Sequence, residues 1–114
     1  MRRRALVTGA AGDLGAAVAR SLAAQGDAVV LADTDVGRLS AVAAALPGTG
    51  HLTVTLDVSR EADVAALADR LREDGAGLAA VFNNAGVNGA TVPIAEHDLD
   101  DFRRTFEVNV FGSF

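Results

Sequence analysis

The stretch Ala5-Leu6-Val7-Thr8-Gly9-Ala10-Ala11-Gly12-Asp13-Leu14-Gly15 decides the fold. A short apolar run leads into a turn with glycines at 9, 12 and 15, and an amphipathic segment follows. Strand, glycine turn and helix together make an arrangement that holds a pyrophosphate. Gly9 can take the tight conformation where the strand ends. Gly12 has no Cβ to keep phosphate oxygens from backbone N–H groups, and Gly15 lets the helix lie close to the sheet. The helix start adds free N–H donors and roughly half a positive charge. Taken alone, a three-glycine turn also fits an ordinary tight connection. No Lys-Ser/Thr pair follows Gly15, which excludes a Walker-type phosphate loop.

Working outward, the chain alternates strands with helices. Residues 4–8 read as a strand. Residues 13–25 read as a helix, with Leu14, Ala17, Val18 and Leu22 at helical spacing and Gly26 as its stop. Residues 28–32 form a valine-rich run that fits a buried strand. A helix over 35–46 ends at Pro47-Gly48, and residues 52–56 alternate as a strand. Ser59 is the expected N-cap of a helix to Asp74, with Val64, Leu67 and Leu71 on one face. Residues 78–82 are a fourth strand, 83–93 a loop, and Asp98 caps a last helix. Helices between short apolar strands mean right-handed crossovers and a parallel sheet. The expected fold is α/β, a Rossmann-type doubly wound parallel sheet of about four strands in the order 3-2-1-4. Ligands then bind where that order reverses, between the first and fourth strands.

The 114 residues make one domain or part of one. The net charge of −5 argues against general nucleic-acid affinity. No run approaches the roughly 18 apolar residues of a membrane span. Arg2-Arg3-Arg4 is followed by only three apolar residues, so it is no signal peptide; a soluble cytoplasmic chain is expected, with the arginines as a solvated tip. There is no cysteine, hence no disulfide and no thiolate metal site, and no metal is expected. All ten basic residues are arginine, and the chain has neither lysine nor tyrosine.

Three further groups carry chemistry. Asp33 ends the second strand, eighteen positions after Gly15, where an acid can accept hydrogen bonds from both ribose hydroxyls. Charge-assisted bonds of this kind contribute about 1.5–3 kcal/mol each, and a 2′-phosphate would replace one with repulsion. Gly12 and Thr34 stand where a basic residue would welcome that phosphate, so NAD is favoured over NADP. Asp57-Val58 follows the third strand: the acid can meet an adenine amino group while valine packs on the ring, although in isolation a helix-entry aspartate is the plainer reading. Asn83-Asn84-Ala85-Gly86 ends the fourth strand; the asparagines can tie neighbouring strands together and reach ribose, and Ala85 and Gly86 leave room.

These motifs, with Asn109-Val110, resemble in order and spacing those of the short-chain dehydrogenase/reductase family, over essentially the whole chain. The resemblance implies an oxidoreductase that moves hydride between a nicotinamide and a small-molecule alcohol or carbonyl. It implies that Gly9, Gly12, Asp13, Leu14 and Gly15 surround the pyrophosphate and that Asp33 binds the adenosine ribose. Asp57 and Val58 would take the adenine, and Asn84, Ala85 and Gly86 the cofactor's sugar region. Asn109 matches the helix asparagine of the family's catalytic Asn-Ser-Tyr-Lys set, which helps organise a proton relay. The turn departs from the commonest short form, which has glycine where Asp13 stands.

The resemblance also implies that the serine and the Tyr-x-x-x-Lys pair lie beyond Asn109, past Phe114. Free tyrosine has a pKa near 10, so a neighbouring lysine must lower it toward the working pH. His51 reads as a surface-loop histidine at the wrong end of the sheet, and His97 as part of a solvated helix start. The chain by itself is therefore expected to be inactive, the N-terminal part of a longer domain. Phe102, Phe106, Phe111 and Phe114 crowd the last thirteen residues. With an unpaired fourth-strand edge they point to self-association of the chain; the resemblance implies a homo-oligomer for the longer protein. The alternatives are a non-catalytic nucleotide-binding module and a methyltransferase, which also uses a glycine turn and an acid after the second strand.

Overall fold

Four parallel strands form one sheet in the computed structural model, which describes residues 2–114. They are β1 (Arg4–Thr8), β2 (Ala28–Asp33), β3 (Leu52–Thr55) and β4 (Ala80–Phe82), ordered β3-β2-β1-β4 as expected. Helices α1 (Asp13–Ala24), α2 (Val36–Ala44) and α3 (Glu61–Glu73) make the crossovers, and α4 (Leu99–Phe106) follows β4. In register, Leu6 lies between Val30 of β2 and Val81 of β4. Among the described residues no helix is long and apolar enough to cross a membrane.

Between their end residues the two central strands are apolar, because both their faces are covered. Val7, Val29 and Leu31 pack with Ala19, Ala23 and Leu39 on one side. Leu6, Val30 and Ala32 pack with Leu56, Leu67 and Leu71 on the other. Burying each large side chain contributes about 1.5–3 kcal/mol. The sheet-facing side of α1 is Gly15, Ala16, Ala19 and Ala23, so its backbone lies close to the strands, while Leu14 is largely exposed.

Four details depart from the sequence expectations. The cap of α3 is Arg60, without a side-chain bond, not Ser59. Ser59 instead turns its Oγ and N–H onto Asp57 Oδ1, at 2.6 and 3.0 Å. This tighter local bond wins over a cap. β4 begins at Ala80, two residues later than expected, although Ala79 N–H still bonds Arg4 O at 2.8 Å just ahead of the paired ladder. His51 does lie at the amino-terminal edge of the sheet, but it is more than a surface histidine. Its Nδ1 accepts from Val29 N–H at 3.1 Å and its Nε2 lies 2.8 Å from Pro47 O, which straps the α2–β3 loop to β2.

The arginine run is exposed at Arg2 and Arg3, as expected of a solvated tip, but all three side chains are also bonded. Arg2 Nε donates to Gly26 O, and Arg3 grips Asp27 through two bonds of 3.1 and 2.9 Å. Arg4 reaches Asp74 and the carbonyls of Leu71 and Gly77. Three guanidinium groups thus tie the start of β1 to the ends of α1 and α3. The hydrogen bond from Arg3 is the main cause that holds the Asp27 carboxyl below the ordinary carboxylate range, against the opposing effect of burial. A carboxylate depressed on folding contributes stability above its unfolded pKa and loses it as pH falls through the folded value. Asp27→Asn is therefore expected to lower the thermal midpoint at neutral pH and to flatten its decline below about pH 5. Melting curves across pH 2–8 check this; parallel curves for the two proteins would contradict it.

Candidate functional site

The carboxyl ends of all four strands open onto one cleft of about 510 Å³, within the ordinary size range for cofactor sites. Gly9, Gly12, Asp13, Leu14, Gly15, Asp33, Asp57, Val58, Asn84, Ala85 and Gly86 all line it. Residues spread over 78 positions of sequence are thus brought to one wall, as the strand order requires.

The glycine turn is locked from several sides. Gly9 has φ +64°, and a Cβ there would come within 2.9 Å of Asn84 Nδ2 and 3.0 Å of Ala85 Cα. Ala10 N–H bonds Ala32 O, and Gly12 N–H bonds Gly9 O, both at 3.2 Å. At Gly12 a Cβ would have only Gly9 O in reach, at 3.5 Å; it would project into the cleft and take space from an occupant. No side chain caps α1, so its first-turn N–H groups remain as donors at the cleft wall.

Asp33 does two things at once. Its Oδ2 accepts from Ala11 N–H at 2.9 Å and its Oδ1 from Thr34 N–H at 2.7 Å. The carboxylate therefore pins the turn to β2; the Thr34 hydroxyl also reaches Oδ1, at 3.4 Å, so the open acceptor site is on Oδ2. Asp57 is held through one oxygen only, by the N–H and hydroxyl of Ser59. The Ser59 hydroxyl is the main cause that keeps this carboxyl below the ordinary range; burial opposes it, and the charges of Arg104 and Arg60 assist. Asp63 Oδ2 takes the Asp57 N–H at 3.0 Å and fixes the loop from α3.

The 83–86 segment hangs on a residue to which the sequence reading gave no role of its own. Thr8 Oγ1 accepts from Asn84 N–H at 2.9 Å and Ala85 N–H at 3.0 Å. Asn84 Nδ2 returns a bond to Thr8 O at 3.2 Å. Thr8 is the one polar side chain at the end of an apolar strand, and that contrast was the available signal. Asn109 does not line the cleft. It sits in a widened helical turn, Glu107–Phe111, in which Gly112 N–H bonds Glu107 O. Its Oδ1 accepts from Val87 N–H at 2.7 Å and its Nδ2 donates to Val87 O at 2.8 Å. Asp101 Oδ2 similarly takes Ala90 N–H at 2.9 Å. Both side chains hold the loop after Gly86 against the last helix. Arg104 also lines the cleft, unannounced by any motif, whereas His97 is exposed outside it.

Comparison with known proteins places these features. The family model described as short chain dehydrogenase matches residues 3–114. The chain is 43% identical, over 96% of its length, to cis-4-hydroxycyclohexanecarboxylate dehydrogenase of Sinomonas cyclohexanicum. It is 42% identical, over 98%, to 2-dehydro-3-deoxy-L-rhamnonate dehydrogenase (NAD(+)) of Sphingomonas sp. strain SKA58. It spans 45% and 44% of those two relatives. Among solved structures, NAD+-bound xylitol dehydrogenase superposes with a TM-score of 0.89 at 33% identity, covering 98% of this chain and 44% of that one. Levodione reductase gives 0.91 at 34% identity, covering 98% and 45%. With the matched model spanning nearly every residue and the fold shared with these solved structures, the chain belongs to the short-chain dehydrogenase/reductase family, whose members are oxidoreductases that use a nicotinamide cofactor.

Proposed function

We propose that this chain is the NAD-holding part of a dehydrogenase acting on a small alcohol or carbonyl compound. The observation that carries this is the Asp33 carboxylate, pinned at both oxygens beside the glycine turn. The residues fit the cofactor: the α1 start offers donors for a pyrophosphate, and Gly12 leaves the space. Asp33 would take the adenosine ribose, Asp57 and Val58 the adenine, and Asn84, Ala85 and Gly86 the remaining sugar region. The bound nicotinamide would supply hydride acceptance and return.

NAD is favoured over NADP because a 2′-phosphate would meet a fixed carboxylate with no cation beside it. Arg38, the nearest basic residue in sequence, does not line the cleft; with Arg20 it lines an adjoining groove between α1 and α2 that shares Asp13 with it. Two relatives point the same way by name, one ending in NAD(+) and one solved with NAD+ bound. Asn109 serves the reaction by fixing the loop around Val87. Proton transfer needs a tyrosine and a lysine, and this chain contains neither. The exposed Phe102–Phe106 pair, with ring centroids 4.8 Å apart, offers an apolar face for subunit contact in the longer protein.

Calorimetric titration tests the reading. NAD+ is expected to bind at least about tenfold more tightly than NADP+, the equivalent of one lost charge-assisted bond. Mixing the chain with NAD+ and a panel of secondary alcohols is expected to give no turnover. Equal affinity for the two dinucleotides, or sustained NADH formation, would overturn the corresponding part.

A further inference from the structure

Among the described residues the cleft is lined by three carboxylates, Asp13, Asp33 and Asp57, and a single cation, Arg104. Among the described residues the Arg104 guanidinium has neither an ion pair nor a hydrogen bond, so its five donors are free. Its backbone is nevertheless well placed. Val108, one helical turn on, is buried and lines the same cleft. Gly112 packs so closely that a Cβ there would lie 2.6 Å from Val58 Cγ2. The end of the last helix is thus seated on the loop that carries Asp57 and Val58, and Arg104 is presented beside them.

Asp57 is free in a complementary way. Ser59 occupies its Oδ1, while Oδ2 has only Arg60 Nε, at 3.9 Å. An apolar wall of Val58 and Val108 therefore carries one open acceptor and one open donor group at its rim. A flat ring with an amino group beside an unprotonated ring nitrogen matches both. Adenine has that pattern. Hypoxanthine has a carbonyl and an N–H in the same two places, so both contacts would become repulsive.

We infer that Arg104 is a specificity residue for the adenine base, donating to a ring nitrogen while Asp57 Oδ2 accepts from the amino group. This rests on the reading of the cleft as the NAD site. The test compares NAD+ with its hypoxanthine analogue, nicotinamide hypoxanthine dinucleotide, by calorimetric titration of the 114-residue chain. The unaltered chain is expected to favour NAD+ by about tenfold or more. Arg104→Met removes the donors but keeps most of the stem. It is expected to weaken NAD+ about tenfold, and the hypoxanthine analogue much less, so that the preference collapses. Arg104→Lys keeps the charge without the fork and is expected to fall between. Circular dichroism of each variant checks folding. A variant that binds both dinucleotides as the unaltered chain does overturns the inference alone. Equal loss for both also overturns it, since that marks a general charge effect. Failure of the unaltered chain to bind NAD+ would instead refute the functional reading and this inference with it.

Discussion

Gly15→Ala is expected to cost about 3 kcal/mol of stability, the upper end of ordinary overpacking, and to abolish dinucleotide binding. An added Cβ would run into the Gly9 carbonyl oxygen, with the Gly9 carbonyl carbon at 2.8 Å and Ala10 Cα at 2.9 Å. All three obstacles are backbone, so no rotamer change relieves them. The helix or the turn must move, and the turn is held on the other side by Asp33 and Ala32. A shift there also displaces the first-turn donors of α1. Gly37→Ala is the control. Gly37 lies inside α2 and a Cβ there meets only Asp35 Oδ1, at 3.7 Å. That change is expected to stabilise the chain by about 0.5–1 kcal/mol through helix propensity. Thermal melts of the two variants check both; a stable, nucleotide-binding Gly15→Ala protein would refute the close-packing account.

Thr8→Val is expected to cost about 2–4 kcal/mol and to weaken NAD+ binding, although the two side chains have nearly the same shape. Thr8 is buried at the end of β1, and its hydroxyl is the acceptor for two N–H groups of the 84–85 segment. Valine leaves both without that partner, and each unpaired donor, part-buried here, costs about 1–2 kcal/mol. The loop that forms one wall of the cleft would then be freed. Thr8→Ser keeps the oxygen and loses one methyl group, with an expected cost of about 1 kcal/mol. Denaturant melts of the two variants separate the hydroxyl from the methyl. Similar losses for both would mean that packing, not hydrogen bonding, is what Thr8 supplies.

Much of the sheet and of the cleft was legible because its signals are local. The run Ala5–Val7, the three glycines and the valines of β2 each read within a few residues, and topology rules then order the strands 3-2-1-4. Asp33 and the 83–86 segment fall in the cleft for the same reason, since both end strands. What stayed hidden depends on partners distant in sequence. Thr8 finds Asn84 across 76 positions, and Arg4 finds Asp74 across 70. Arg104 belongs to no motif, and only the seating of Val108 and Gly112 against the loop of Val58 brings it to the cleft. Local competition misled in one place: Ser59 offered a standard cap, but Asp57 two residues before it gave its hydroxyl a charged acceptor.

The proposed NAD site is the cleft at the carboxyl ends of the strands, built by these particular residues. Nuclear magnetic resonance titration of the ¹⁵N-labelled chain with NAD+ tests it most directly, because it reads every amide at once. The expected result is saturable shifts concentrated at Gly12, Leu14, Asp33, Val58 and Ala85, with Phe102 and Phe106 of α4, which do not line the cleft, unchanged. No saturable shift, or shifts centred on α4 with the glycine turn silent, would contradict the claim.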